Sequence, residues 1–303
     1  MFENLPSTTA EAVCLMRAHE HVRPRHRVVD DPYAEWFLRP VARAALASEQ
    51  AVPRLGRYAE WVSDGLLPFV VARHRYIDDA LRRALRAGID QVVLLGAGYD
   101  MRAYRLAAQI GERPVFEVDH PATSRRKARI VSRHTGELPA VPVERVEVDF
   151  ERQSFRTELR RAGFRERGKT FFVWEGVSMY LTRSSVVKTL KTLRSMSAAG
   201  SHLVLDLWYL PDEHDRMAAM RRLSSNLLVL LGEPISFGIH PEDAGPFFER
   251  LGFRVRDIAD AERLSALYFQ RKAHLYPTNY VLHAVARART RGSGAQRSRH
   301  TKK

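Results

Sequence analysis

Short apolar runs alternate with stretches of helical spacing through the middle and later parts of the chain. The apolar runs are VVLLG, PVFEVD, VPVERVEVDF, KTFFVWEG and SHLVLDLWY, between residues 92 and 209. The helical period recurs between them at 100–109, 123–133, 154–163 and 184–198. This alternation predicts a doubly wound, mostly parallel sheet with helices on both faces. The near-continuous apolar strands are typical of a sheet that is covered on both faces.

The two ends of the chain predict further helices and two late strands. Helical patterns occupy 8–22, 34–38, 41–65 with breaks at Pro53 and Gly56, and the long run from Pro68 to Gly88. The runs FRVRDIAD and TNYVLHAVAR, joined by a loop, predict a reversed strand near the end of the sheet. We therefore expect a helical N-terminal cap at 1–66, a core at 67–286 with a helical insertion at about 211–245, and a basic, disordered tail at 287–303.

Composition is that of an ordinary globular protein. The 303 residues are 45% hydrophobic and 28% charged, and no apolar run approaches the roughly 20 residues that span a bilayer. The N-terminal residues lack the basic-then-apolar order of a secretory signal, so we expect a cytoplasmic protein. The single cysteine, Cys14, has no internal disulfide partner. The histidines show no metal-ligand spacing, and no metal is expected.

The net charge of +14 suggests nucleic-acid binding, but its distribution argues against that function. Half of the excess comes from the seven Lys and Arg residues between Arg287 and the C-terminus, where no acid occurs. That segment is rich in Gly, Ser, Arg and Lys and should be solvated. The alternative is that the tail binds a polyanion weakly and in a salt-dependent way.

A glycine turn carries the first chemical signal. The strand QVVLL runs into Gly96-Ala97-Gly98, and about twenty residues later the next strand ends with Glu117 and Asp119. A turn and an acid at the tips of two neighbouring strands predict a nucleoside held by its ribose hydroxyls. The third glycine of a dinucleotide fingerprint is missing, so a nucleoside without phosphates fits better, and S-adenosyl-L-methionine is the common cofactor of this kind. We expect only one of the two acids to face the site.

Five motifs together resemble a known family. They are ARHRYIDDAL, QVVLLGAGYDMRAYRL, VFEVDHPATSRRKARI, VEVDF and FVWEGVSMYL, in this order, and they resemble the leucine carboxyl methyltransferase family, which includes bacterial O-methyltransferases of polyketide type. The resemblance covers roughly residues 8–285. It implies a class I, Rossmann-like S-adenosylmethionine-dependent O-methyltransferase that acts on a carboxylate or hydroxyl oxygen of a small molecule.

The resemblance also implies roles for individual residues. Asp119 would bind the ribose, Asp149 the adenine amino group, and Phe150 would flank the adenine ring. The motif ARHRYID resembles Arg-Thr-x-x-x-Asp, and its Arg73 would grip the methionine carboxylate through two parallel hydrogen bonds, with Arg75 as the alternative. Glu175 would face the ammonium or the sulfonium. With the turn, the expected cofactor-binding set is Arg73, Gly96, Ala97, Gly98, Asp119, Asp149, Phe150 and Glu175.

The catalytic residues stay open at the level of sequence. A carboxylate acceptor is already ionised at pH 7 and needs no base, and Arg17, Arg23 or Arg25 could recruit it. A hydroxyl acceptor needs a base, which could be a carboxylate or a histidine such as His120, His202 or His240. Tyr180 is a candidate for the substrate side. The alternatives are an NAD-dependent oxidoreductase on a similar sheet, or a protein that binds the cofactor without turnover. The sequence leaves the oligomeric state open.

Overall fold

A seven-stranded sheet forms the centre of the molecule. The computed structural model describes residues 8–23, 26–48, 52, 64–150, 152–209 and 236–288. The strands are β1 (Gln91–Leu95), β2 (Val115–Asp119), β3 (Val143–Glu147), β4 (Thr170–Trp174), β5 (His202–Trp208), β6 (Phe253–Ala259) and β7 (Asn279–Ala286). Their order is β3-β2-β1-β4-β5-β7-β6. β7 is antiparallel to both of its neighbours, and the pairs among β1 to β5 are parallel. The predicted fold, including its reversed strand, is confirmed.

Helices flank the sheet. In chain order they are α1 (Thr8–His21), α2 (Pro40–Leu46), α3 (Leu66–Arg86), α4 (Arg102–Arg105), α5 (Ala107–Ile110), α6 (Pro121–Val131), α7 (Phe155–Arg161), α8 (Arg183–Met196), α9 (Pro241–Arg250) and α10 (Ala261–Tyr268). Short 3-10 turns occur at Ala34–Phe37, Ser132–Glu137 and Ser178–Tyr180. None of the helices in this described part of the chain is long and apolar enough to cross a membrane.

The core has two halves because successive side chains of each strand point to opposite faces. In β1, Val92 and Leu94 pack on one face, against α1 and α3, whereas Val93 and Leu95 pack on the other, against α7, α8 and α9. Cys14 of α1 belongs to the first half, so the N-terminal segment shares the core of the sheet. The proposed division of the chain into cap, core, insertion and tail stays a prediction.

Two sequence-based expectations need correction. The connection between the last two strands is not only a loop: it contains α10, whose first turn is capped by the Asp260 side chain. The third strand ends at Glu147 rather than at Asp149-Phe150. Most of the predicted insertion lies outside the described residues, and its last residues, from Pro241, belong to α9.

Candidate cofactor site at the carboxyl ends of the central strands

The glycine turn joins β1 closely to β2. The N–H groups of Gly96 and Ala97 both donate to the carbonyl of Val118, at 2.8 and 3.1 Å. Gly96 has a φ of +66°, and a Cβ there would lie 2.4 Å from a methyl group of Val177. Gly98, with a φ of +47°, donates its N–H to the Asp119 carboxylate. The turn therefore requires glycine at both positions and fixes the acid at the end of the second strand.

Asp119 and Glu117 lie on the same face of β2, because they are two residues apart. Alternation along the strand therefore does not separate the two acids, contrary to expectation, and their different depths separate them instead. Glu117 is buried and forms ion pairs with Lys127 (2.8 Å) and Arg145 (3.7 Å). Asp119 lies at the carboxyl end of the strand, is partly exposed, and accepts from the N–H groups of Gly98 and His120.

The Asp119 carboxylate keeps room for further donors. Burial raises its pKa, although the N–H groups of Gly98 and His120 act in the opposite direction. A carboxylate has about four lone-pair positions, and these two N–H groups fill two. The remaining capacity suits a pair of neighbouring hydroxyl groups.

Asp149 and Phe150 follow β3 at the same end of the sheet. Asp149 is 31% exposed and lies 3.5 Å from Arg152, and its N–H donates to the side chain of Gln153. Phe150 is one of the few large apolar side chains of the described chain that are mostly outside the core, at 51% exposed. An exposed aromatic ring beside an acid at a strand tip is compatible with a flat heterocycle.

A buried cluster of charged side chains lies beneath this edge. It contains three arginines, four carboxylates and one histidine, and we call it the buried charge cluster: Arg73, His74, Asp78, Asp100, Arg102, Arg105, Glu175 and Asp206. Its members come from α3, the glycine turn and α4, the residue after β4, and the middle of β5. Side chains from four separate segments thus meet at one point.

Arg73 links two of the carboxylates. Its Nη1 donates to Asp206 at 2.6 Å and its Nε to Glu175 at 3.0 Å. Asp206 also accepts the N–H of Gly176, at 2.6 Å. A carboxylate that binds a guanidinium through two hydrogen bonds uses Nε or Nη1 as one of its donors. In Arg73 these two atoms already donate to Glu175 and Asp206, so a further carboxylate would have only Nη2 to itself. The predicted two-bond grip on a methionine carboxylate stays a prediction, and the structure gives Arg73 a second role, that of holding Glu175.

The other arginines bind Asp78 and close the cluster. Arg102 donates to Asp78 at 2.6 Å and to Glu175 at 3.0 Å, and it also pairs with Asp100. Arg105 donates to the second oxygen of Asp78 at 2.8 Å. Burial works to raise the pKa of Asp78, but Arg105 and Arg102 outweigh it and hold that pKa below its usual range.

Among the carboxylates of the cluster, Glu175 has the most partners, namely Arg73, His74 and Arg102. Burial works to raise its pKa, but His74, Arg73 and Arg102 outweigh that effect and hold it well below its usual range. Its side chain is 11% exposed, and the residue directly follows β4, at the carboxyl edge of the sheet. It is therefore an oriented, ionised carboxylate that a ligand cation can reach.

The remaining candidates fall into two groups. Tyr180 is partly buried in the turn after β4, and His240 is 38% exposed, with its ring 4.7 Å from Tyr209 just after β5, so both lie at the carboxyl edge. His120 caps α6 there and accepts from Ala122. His202, by contrast, begins β5 at the opposite edge and pairs with His283 at 2.8 Å.

Two of the three basic residues proposed for recruiting an acceptor lie in the described chain, and each already binds a protein group. Arg17 is buried and donates to the carbonyl of Tyr99 at 2.9 Å, and Arg23 pairs with Glu20 at 2.7 Å. Arg25 lies outside the described residues. Arg75 points away from Arg73, to Asp79 at 3.1 Å.

Sequence reasoning missed most of the buried charge cluster. His74 and Asp78 are in the motif ARHRYID but drew no role, and Arg102 and Arg105 follow the glycine turn. Asp206 gave the clearest signal, because it is a single acid within the apolar strand SHLVLDLWY. A buried acid in such a strand requires a partner.

Comparison with known proteins supports the family. The model of the leucine carboxyl methyltransferase family matches residues 10–194. The chain belongs to this family. A relative from Mycobacterium avium (strain 104), named as a candidate S-adenosyl-L-methionine-dependent methyltransferase, is 34% identical over 212 residues, which are 67% of each chain. A relative of the same description from Frankia alni is 34% identical over 230 residues, 74% of this chain and 76% of its own.

A solved structure supports the fold. The crystal structure of a DUF574 family protein from Streptomyces avermitilis superposes with a TM-score of 0.57 at 16% identity, covering 89% of this chain and 96% of its own. At this identity the likeness concerns the fold alone. The family and fold predicted from the five motifs are confirmed.

Proposed function

We propose that this member of the leucine carboxyl methyltransferase family transfers a methyl group to an oxygen of a small molecule, and that this oxygen belongs to a carboxylate. The coarser statement follows from family membership: the chain is an S-adenosyl-L-methionine-dependent methyltransferase. The choice of a carboxylate acceptor rests on the ionisation and the hydrogen-bond partners of the side chains at the carboxyl edge of the sheet.

The residues at that edge fit the cofactor by their chemistry. S-adenosyl-L-methionine presents two ribose hydroxyls, an adenine ring, an ammonium and a cationic sulfur. Asp119 has acceptor capacity left for the hydroxyls, and Phe150 offers an exposed ring with Asp149 beside it. Glu175 offers an ionised carboxylate to a cation. We therefore assign these four residues and the turn Gly96–Gly98 to the cofactor.

One observation favours a carboxylate acceptor. Each carboxylate of the buried charge cluster is bound by at least one arginine, so none is free to take a proton from a hydroxyl group. A carboxylic acid is ionised at pH 7 and attacks without a base. When bound, the cofactor supplies a methyl group on a cationic sulfur, and the protein's part is to align the acceptor and exclude water. His240 is the group that would serve a hydroxyl acceptor.

The turn itself argues against the oxidoreductase alternative. A pyrophosphate is bound by free N–H groups at such a turn. Here the N–H groups of Gly96 and Ala97 donate to Val118, that of Gly98 to Asp119, and that of Asp100 to Ala97. The Asp100 carboxylate adds a like charge beside the position that a phosphate would need.

Cofactor binding is tested by calorimetry with S-adenosylmethionine, S-adenosylhomocysteine and NAD. We expect binding of the first two and none of NAD. Asp119→Asn should weaken both by roughly tenfold to a hundredfold, since a hydrogen bond to a charged group contributes about 1.5–3 kcal/mol. Asp90→Asn, at the amino end of β1, is the matched control and should bind as the parent does. Binding of NAD alone would reject the proposal.

The acceptor is identified by the stability of the product. With methyl-labelled cofactor and a panel of carboxylic acids and phenols, we expect label in a product that releases methanol in alkali, as methyl esters do and aryl ethers do not. His240→Ala should keep this activity. Label that survives alkali, together with loss of activity in His240→Ala, would indicate a hydroxyl acceptor with His240 as its base.

A further inference from the structure

His74 lies in the middle of the buried charge cluster. It is on α3, one turn before Asp78, and is 1% exposed. Its Nδ1 is 3.1 Å from both carboxylate oxygens of Glu175, and its Nε2 is 2.6 Å from Nη2 of Arg105. The ring therefore bridges a carboxylate on one side and a guanidinium on the other.

These contacts fix the position of the imidazole proton. A guanidinium only donates hydrogen bonds, so Nε2 must accept the one from Arg105 and carries no proton. The proton is then on Nδ1, where it is donated to Glu175. Arg102 Nη2 also lies 2.9 Å from Nδ1, but it has an acceptor of its own in Glu175 at 3.0 Å.

A protonated His74 would be disfavoured in this setting. An imidazolium would place an N–H against an N–H of Arg105 at 2.6 Å. Burial, together with the charges of Arg102 and Arg105, lowers the pKa of the imidazole against the pull of Glu175. The other charged groups nearby are Arg73 on the same helix, Asp78, which binds both Arg102 and Arg105, and Asp100 and Asp206 across the cluster.

The neutral state matters for the charge of the cluster. With neutral His74, three guanidinium groups face four carboxylates, so the cluster carries one net negative charge. A protonated His74 would cancel that charge next to Glu175. The motif that this segment resembles has threonine at the position of His74. The threonine side chain is shorter and has no ring nitrogen that could accept a hydrogen bond from Arg105.

We propose that His74 is a positioning residue of the methyl-transfer site: as a neutral Nδ1–H donor it orients the Glu175 carboxylate toward the cofactor's cationic groups without neutralising it. The proposal rests on the function proposed above. His74 itself does not touch the cofactor; it acts through Glu175, and Arg105 enforces its tautomer.

Three substitutions separate this role from simple packing. The side-chain N–H of His74→Asn occupies nearly the place of Nδ1–H, so affinity for S-adenosylmethionine should stay within about threefold of the parent. His74→Leu removes the donor and should lose roughly tenfold to a hundredfold, the effect of one hydrogen bond to a charged group. His74→Gln extends past the Nδ1 position and should bind less tightly than His74→Asn. His202→Leu, a partly buried histidine at the opposite edge, is the control and should bind as the parent does.

The proton is observed directly by long-range ¹H–¹⁵N spectra of histidine-labelled protein, with the His74 signals assigned by their loss in His74→Asn. We expect the Nδ1–H tautomer, with no titration as the pH falls from 7.5 to 6. An imidazolium or the Nε2–H tautomer at pH 7 would overturn the proposal.

The cofactor affinities of the parent and of the His74 variants test the proposal a second time. A parent that binds neither S-adenosylmethionine nor S-adenosylhomocysteine overturns both this proposal and the proposed function. A parent that binds, with His74→Leu folded and equally tight, overturns this proposal alone. Should His74→Leu fail to fold, the order of His74→Asn and His74→Gln decides, and equal affinities for these two would overturn it.

Discussion

Asp206 offers the sharpest test of how the site is held together. Its carboxylate has no exposed surface and accepts two short hydrogen bonds, from Arg73 Nη1 and from the N–H of Gly176, both at 2.6 Å. Asp206→Asn keeps the shape of the side chain but removes its charge, and its NH2 group turns one of the two contacts into a clash between donors. Arg73 then has only Glu175 as a charged partner.

The size of the effect follows from the burial of the pair. Removing one partner of a buried ion pair costs about 3–5 kcal/mol, because the other charge is left without compensation. Glu175 still neutralises Arg73 in part, so we expect the lower end, about 3 kcal/mol. At about 2–4 °C per kcal/mol for a domain of this size, the unfolding temperature should fall by roughly 6–12 °C. Thermal unfolding followed by circular dichroism measures the change.

A matched ion pair at the surface provides the control. Glu249 and Arg287 lie 2.9 Å apart, and both side chains are about half exposed. Pairs of this kind contribute about 0–1 kcal/mol, so Glu249→Gln should unfold close to the parent. The reasoning is refuted if Asp206→Asn unfolds within about 2 °C of the parent, or if the two variants lose the same amount. Cofactor affinity should fall in Asp206→Asn and stay unchanged in Glu249→Gln.

Two further predictions follow from the turn and from the titrating groups. Gly96→Ala places a methyl group where Val177 already packs and requires a left-handed backbone, so it should lower stability by roughly 1–3 kcal/mol and weaken cofactor binding, as measured by denaturant unfolding and calorimetry. The free energy of unfolding should also fall in acid in two steps, as measured by urea unfolding against pH. The first fall is expected below about pH 6.5, because the unfolded chain protonates His74 more readily than the folded chain does. The second is expected below about pH 4, because the pKa values of Asp78 and Glu175 are lowered in the folded chain. Burial also lowers the pKa of His202 to about 4 and that of His283 to about 3, so these two histidines contribute to the first step. His74→Asn should therefore reduce the first step without removing it, and a variant in which that step is unchanged would contradict the assignment.

Local patterns were sufficient for the fold and for the edge of the site. The strands, the glycine turn and Asp119 follow from apolar runs and short-range spacing, which the sequence carries directly. The eight residues of α10 were not predicted as a helix, although Asp260 before them is a typical N-cap. The end of β3 was misplaced by two to three residues, since strand boundaries depend on pairing with β2.

The buried charge cluster could not be predicted in the same way. Arg73 and Asp206 are 133 residues apart, and their contact exists only because α3 packs across the sheet onto β5. The sequence showed that Asp206 interrupts an apolar strand and that Arg73 belongs to a motif, but no local rule joins the two. Burial decides the partner, and burial is a property of the assembled fold.

The cost of the buried charge cluster indicates what it is for. Ion pairs in the interior are weak contributors to stability, and apolar residues of the same volume often replace them without loss. Here Asp206 and Asp78 lie deepest and bind the arginines, whereas Glu175, 11% exposed, is bound from several sides by those arginines and by His74. An apolar core would support the strands equally well but could not hold an ionised carboxylate at one fixed place at the edge. We therefore propose that the arrangement serves to present a negative charge to a cationic ligand rather than to stabilise the fold.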